Sequence, residues 1–436
     1  MDKVKYSLGT AISVVIANMI GTGVFASLGF QLLGITDFFS ILTLWIVGGI
    51  IALFGAFCYS EIGSIYPESG GEYLYLSKIY HPAVGFSSGW LSATIGFAAP
   101  IALNAILFAV YFKKVFVQVD VQYVAIGLIL FVTAMNAINH KVSGRFQKIF
   151  TALKVVVLLV MIATGFFIDT GVDANFGFTE HSLDNIFSKS FALSLVYVSF
   201  AYSGWNASAY ISSEVYNPKK NIPLSILIGT CVVTVIYTLL NMIFLMSAPV
   251  SELMVDPSTM EQKELGFIVA SHLYGPRVAY FFNLIICLFL ISSISSMIIA
   301  GPRVIHQIAK DYSLFKRLHL KADDSDVPRY ALIILSLTAI FILITGTFES
   351  IITYTTLGMI IFATITVFGV FVLRWKKPNE ERAYKAWGYP FTPIVFILAN
   401  LWIMYGVMHE KIQESIIGFS IIIIGLIIYF FLPKKK

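Results

Sequence analysis

The sequence predicts an all-α polytopic membrane protein with twelve transmembrane helices, on three observations. The chain has 436 residues, of which 58% are hydrophobic and only 12% charged, and its mean hydropathy is +0.84. A soluble chain of this length needs a polar surface that such a composition cannot supply. Apolar runs recur along the whole length, each long enough to cross a hydrocarbon core about 30 Å thick. Finally, the basic residues fall overwhelmingly on one side of those runs. The spans are expected at 7–33, 38–62, 83–112, 121–139, 149–169, 187–213, 223–247, 276–305, 330–347, 349–373, 391–409 and 415–432. The longest connections, near 248–275 and 306–329, read as short polar loops or interfacial helices, so residues 1–436 form a single transmembrane domain.

Asp2, Lys3 and Lys5 lead straight into the first span, an apolar run too long for a cleavable signal peptide. That span contains "MIGTGVF" (19–25), which puts Gly21, Thr22 and Gly23 where a spanning helix should be most regular. The second span closes on Glu61, and "YPESGGEY" after it reads as a turn-rich loop and structural hinge. The fifth span carries Lys154, the one basic residue inside a span. The sixth reads "SFAYSGWNASAY", with Ser203, Gly204 and Asn206 at mid-span, and it closes on Glu214 before the turn "YNPKKNIP". Ser292, Ser293, Ser295 and Ser296 crowd the eighth, and Trp375 and Trp387 lie near span ends as interfacial anchors.

An N-terminus in the cytoplasm places 22 Lys and Arg on the inner side and six on the outer, at 113, 114, 189, 263, 277 and 411. This asymmetry predicts that both termini are cytoplasmic, and it makes the net charge of +5 a topology signal rather than a nucleic-acid footprint. Cys58, Cys231 and Cys287 all fall within spans and read as small core residues, with no disulfide framework. The seven histidines lie in loops or near span ends, and no His/Glu pairing at ligand spacing appears. No catalytic residue, metal or cofactor is expected, and an enzyme is disfavoured. A channel would show a repeated pore loop or a charged ring, and neither is evident.

The interruptions carry the functional reading. The first and sixth spans are an odd number apart and cross the membrane in opposite directions. Two interrupted helices at matching positions in inverted halves point to the central site of a secondary transporter. Irregular backbone is tolerated at that depth only inside protein or along a cavity. Each break frees amide donors at the start of one half-helix and carbonyl acceptors at the end of the other. A zwitterion with carboxylate and ammonium on one carbon fits that pair.

The same residues resemble the amino acid–polyamine–organocation (APC) superfamily, close to its L-type amino acid transporters and bacterial amino acid and polyamine permeases. The matching stretches are "NMIGTGVF" (18–25), "SEIGSIYPESGGEYLYL" (60–76), "FTALKVVVL" (150–158), "FAYSGWN" (200–206), "SEVYNPKKNIP" (213–223) and "RVIHQIAKDYSLFKRL" (303–318), in family order. The resemblance implies a 5+5 inverted-repeat fold, with 7–169 as first repeat, 187–373 as second and 391–432 as peripheral helices. It implies that the amides of Gly21, Thr22 and Gly23 hold the substrate carboxylate, that Ile20 belongs to the same site, and that carbonyls of Met19, Phe200, Ala201 and Ser203 hold the amino group. Trp205 would line or gate the pocket. The superfamily often has serine at position 22, and L-type transporters often have glycine at 203.

Lys154, with help from the Ser292–Ser296 cluster, is expected where sodium-coupled relatives hold a cation between helices 1 and 8. Glu61 and Glu214 are gating candidates, or plain helix-end carboxylates paired with nearby Lys or Arg. The expected function is sodium-independent transport of neutral L-amino acids by proton-coupled symport or exchange, in a prokaryotic inner membrane. The alternatives are a sensor on the same fold or a permease for another small amine or zwitterion. The partners expected are the amino acid, the lipid bilayer and protons. Animal L-type transporters are tethered to a glycoprotein through a cysteine in the loop between helices 3 and 4. The corresponding "YFKKVFVQVDVQ" (111–122) has none, so no disulfide-linked subunit is expected.

Overall fold

A computed structural model describes residues 5–35, 37–138, 140–258, 263–312, 315 and 328–432. Part of the 303–318 motif and the topology-setting Lys3, Lys316, Arg317, Lys321 and Lys434 to Lys436 lie outside them. The described chain is helical throughout, and helices occupy all twelve expected spans. The first span is split into α1 (Leu8–Met19) and α2 (Thr22–Gln31). Then follow α3 (Phe38–Ile65), the short α4 (Glu72–Ile79), and α5 (Pro82–Leu91) joined through a wide helical turn at Ser92–Gly96 to α6 (Ala98–Val115). Next come α7 (Val121–Ile138), α8 (His140–Gly165) and the short α9 (Ser182–Ile186). The sixth span is again split, into α10 (Lys189–Tyr202) and α11 (Ala207–Tyr210). The remainder is α12 (Pro218–Ser247), α13 (Val250–Leu253), α14 (Leu265–Tyr274), α15 (Pro276–Asp311), α16 (Arg329–Thr345), α17 (Phe348–Lys376), α18 (Phe391–Glu410) and α19 (Ile412–Phe431).

Among the described residues, nine helical segments are long and apolar enough to cross a membrane. Their burial sorts them by position. The first broken segment is 94% buried, whereas Ile412–Phe431 at the other end of the chain is only 22% buried. The exposed faces of the outer helices are apolar: Phe131, Val156, Val160, Phe341, Ile344, Leu398 and Phe430 all stand open. Apolar surface on this scale is incompatible with water and fits hydrocarbon. Trp375 and Trp387 are also exposed, near helix ends, as interfacial anchors are. Cys58 and Cys287 are buried, but Cys231 is exposed on α12, which corrects its reading as a core residue.

α1 packs against α8, α12 and α15, and α2 against α10, so the broken segments lie together inside a cage of unbroken helices. Helix ends exceed the sequence estimates in places. α15 runs on to Asp311, because its inner half is buried rather than lipid-facing and needs no polar stop at the membrane surface.

Candidate functional site

α1 ends because Ile20 turns extended (ψ 91°) after its own N–H has closed the last helical bond to Ile16. Two residues later α2 begins, with Gly21 as its N-cap and no side chain of its own to satisfy the first amides. A neighbour supplies one: Asn104 Oδ1 on α6 accepts the Thr22 N–H at 3.2 Å. A Cβ on Gly21 would stand 2.7 Å from that same oxygen, so glycine here makes room for the cap. On the carbonyl side, Ile20 O accepts from Lys154 Nζ at 2.7 Å and from Ser293 Oγ at 2.6 Å. Lys154 Nζ also donates to Ser293 Oγ at 2.8 Å, and Lys154 is fully buried. Met19 O accepts from the Tyr237 hydroxyl at 2.5 Å. Thr22 is 1% exposed, and its hydroxyl has no partner among the described residues.

The second break follows the same logic. α10 stops at Tyr202; Ser203 turns away, and Gly204 takes φ +90°, a conformation that L side chains rarely adopt. A Cβ on Gly204 would stand 2.8 Å from Asn18 Cβ, so the loop lies directly on the end of α1. Nearby, a Cβ on Gly23 would fall 2.3 Å from Ala201 Cα. The Tyr237 hydroxyl lies across both breaks, 3.1 Å from Ala201 O as well as bonded to Met19 O. With a single proton it serves one carbonyl at a time.

Two cavities adjoin this junction and share Ser203, Gly204, Asn206, Glu72 and Met359. One opens toward Trp205, Ile51, Ala52 and Phe396; the other reaches Asn18, Phe97, Pro100 and Met297. Trp205 meets Tyr59 edge-on at 4.5 Å between ring centres. Glu72 is the one formally charged residue among those described on the walls. Its Oε1 accepts from the Tyr59 hydroxyl at 2.5 Å and from Asn206 Nδ2 at 3.1 Å. It lies on α4, outside the spanning segments, and burial pushes its carboxyl up to about 7 despite those bonds. Sequence reasoning read its loop as a hinge. The signal available was a carboxylate immediately after Ser69-Gly70-Gly71, which gave no hint that the loop folds inward.

The ion pairs sort by end of the bundle. Glu61 receives a two-point bond from Arg374, at 2.9 and 2.6 Å, and lies 3.1 Å from Arg382 Nε. Glu214 receives another from Arg303, at 3.1 and 3.0 Å. Tyr6 pairs in parallel with Val215, its N–H on Glu214 O and its carbonyl accepting from Tyr216. All of these groups belong to the side assigned to the cytoplasm. The groups assigned outside pair among themselves: Lys114 with Glu264, Lys189 with Glu410, and Lys411 with Glu349.

A helical bundle with two breaks meeting at its centre is now joined by a family match. Residues 6–428 fit the family model described as amino acid permease. The chain belongs to the amino acid permease family, within the APC superfamily. The permease is 28% identical to the b(0,+)-type amino acid transporter 1 of Mus musculus, over 99% of this chain and 88% of that protein. It is 27% identical to the large neutral amino acids transporter small subunit 2 of Mus musculus, over 98% of this chain and 81% of the relative. The cystine/glutamate transporter of Homo sapiens is also 27% identical, over 98% and 85%. The permease is thus an integral multi-pass membrane protein of a transporting family rather than an enzyme. Among the described residues, no His, Cys, Asp and Glu group could hold a metal ion.

The structure of the permease brings most of the sequence-selected residues to one place. Met19, Ile20, Gly21, Thr22 and Gly23 form the first break, and Phe200, Ala201 and Ser203 the second; Ser203 and Trp205 line the cavities. Of the four serines, only Ser293 reaches the break. Ser292 accepts from Gln147, Ser295 donates to Asn136 and Ser296 to the Ser293 carbonyl. Asn104, Tyr237 and Glu72 were not selected.

Proposed function

We propose that the permease is a secondary active transporter of neutral L-amino acids, working by alternating access without sodium. Coupling is to protons or to exchange of one amino acid for another. The fold behind this reading is twelve spans, with helices 1–5 and 6–10 as inverted repeats and two outer helices, both termini cytoplasmic. The observation that carries it is the junction of the two helix breaks, where the buried Thr22 hydroxyl has no partner beside amide donors at the start of α2. The substrate carboxylate takes that hydroxyl and the adjoining amides, displacing Asn104 Oδ1 from Thr22. Its ammonium takes carbonyls at the ends of α1 and α10, where the Tyr237 proton is free to shift between Met19 and Ala201.

The side chain then extends over Gly204 toward Ile51, Ala52, Met359 and Phe396, an apolar lining that favours small to medium neutral groups. Lys154 holds the Ile20 carbonyl from the position where a bound cation would act, which supports independence from sodium. The relatives named for large neutral amino acids and for cystine and glutamate are in keeping with an amino acid substrate. The membrane proposed is a prokaryotic inner membrane, and the chain works without a disulfide-linked subunit.

The test is uptake of labelled leucine by the purified chain in liposomes, with competing amino acids, with and without sodium and a pH gradient. Alanine, serine, valine and leucine should compete; lysine, arginine and glutamate should compete poorly. Arginine or glutamate outcompeting alanine and leucine would overturn the substrate class, and sodium-stimulated uptake would overturn the coupling.

A further inference from the structure

Glu72 is 6% exposed and stands in the wall of both cavities, yet among the described residues no ammonium or guanidinium pairs with it. The groups that face it are the phenols of Tyr59 on α3, Tyr75 on its own helix and Tyr210 on α11, together with the neutral Asn206 and Ser88. The Tyr59 and Asn206 donors both fall on Oε1, and the Ser88 hydroxyl is the further polar group at the carboxyl, which makes Oε2 the oxygen to carry a proton. Ser88 is fully buried on the adjoining α5, and its hydroxyl adds a weak pull toward the charged carboxylate. A carboxylate taken from water without a counter-charge is costly, and the inexpensive remedy is to bind a proton.

Its place in the chain links that proton to motion. Gly70 and Gly71, at φ +131° and +53°, turn the loop inward so that α4 begins with Glu72 inside the bundle. Gly71 is wedged against Tyr210, whose ring would stand 2.4 Å from a Cβ there. Asn206 lies between Trp205 and the start of α11, at the second helix break. Tyr59 carries Trp205 against its face. Glu72 therefore touches the part of the sixth span that must rearrange when the cavity opens.

We propose that Glu72 is the proton-binding residue of the transport cycle, holding a proton on Oε2 while the cavity is closed around a neutral amino acid. The proton comes from water on the loading side and leaves to water on the other side; no other bond changes. This deepens the transport reading above and rests on it, choosing proton coupling over exchange alone. The upward shift of the carboxyl to about 7 places its titration where a physiological pH difference can act. The sign is fixed by that direction. A raised carboxyl holds its proton below about 7 and loses it above, so proton-coupled uptake falls as loading-side pH rises through 7.

The experiment uses the purified full chain in liposomes loaded with a pH-sensitive dye, driven by a leucine gradient at equal pH. Leucine entry should acidify the lumen, and uptake should fall about tenfold between external pH 6 and 8, as the protonated fraction of a group titrating near 7 does. Glu72→Gln should abolish the acidification and flatten the pH profile. Tyr59→Phe removes a donor that favours the charged carboxylate, so it should shift the falling limb to higher pH; this arm holds even where the Gln variant fails to fold. Wild-type acidification by Glu72→Gln overturns the proposal, as does leucine uptake by the unaltered chain with no proton movement. Selective loss of lysine and arginine uptake in Glu72→Gln would make the carboxylate a substrate counter-charge and also overturn it. Absence of both uptake and counterflow in the unaltered chain at every pH is a different failure, that of the transport reading itself.

Discussion

Gly23 and Thr22 sit side by side, and the structure assigns them different work. The family resemblance has the Gly23 amide hold the substrate carboxylate; the structure puts Ala201 Cα within 2.3 Å of where a Cβ at 23 would be. Gly23 is therefore also a packing residue between α2 and α10, and even a methyl group must push the two half-helices apart. We expect Gly23→Ala to lower detergent melting temperature and leucine affinity together, and Ala201→Gly not to rescue it, because the nearest clash is with backbone. An unchanged melting temperature in Gly23→Ala would show that packing is not the reason. Thr22→Val should behave oppositely. Its hydroxyl has no partner to lose, so stability in the empty protein should hold while leucine affinity falls by about tenfold, one hydrogen bond to a charged group. Binding assays and melts on the same preparations separate the two. The break itself was legible, because Gly-Thr-Gly is out of place at mid-span. Asn104 and Tyr237 were not, because an asparagine or tyrosine on an apolar helix does not say which distant backbone group it faces.

At the scale of elements, the carbonyl side of the first break is held by three other helices, α8 through Lys154, α12 through Tyr237 and α15 through Ser293, and its amide side by α6 through Asn104. Its carbonyls are thus satisfied without ligand, which keeps the cost of irregular backbone in hydrocarbon from falling on the substrate. Lys154 does not reach back to the membrane surface; its ammonium ends on Ile20 O and Ser293 Oγ. Lys154→Ala should leave leucine affinity within a few fold but lower turnover at least tenfold, because the carbonyl loses its cation while the carboxylate side stays intact. Equilibrium binding and initial-rate uptake on one preparation check this, and full uptake across pH would reduce the lysine to a helix-packing role. The placement of Lys154 followed from its position in the fifth span and the family resemblance. The choice of Ser293 among four serines needed the helix phase, which sequence spacing alone left open.

For the whole molecule, an all-helical bundle of long apolar segments was legible because hydrocarbon imposes length and polarity on every span. What escaped was a loop that folds inward: "YPESGGEY" is polar and glycine-rich, and composition sends such a stretch to the surface. We expect the single chain, purified and reconstituted in defined lipid, to transport without sodium and without added protein; rescue of an inactive preparation by a partner would contradict this. The end of the bundle assigned to the cytoplasm is closed partly by backbone. Tyr6 donates its amide to Glu214 O at 2.6 Å and accepts from Tyr216 N at 3.0 Å, so the chain just before α1 is stitched at Tyr6 to the segment after the second break. Those two amide hydrogens become a clock for inward opening. In deuterated buffer they should exchange slowly while this end stays shut and quickly whenever it parts, so conditions that favour the inward-open form will register there first.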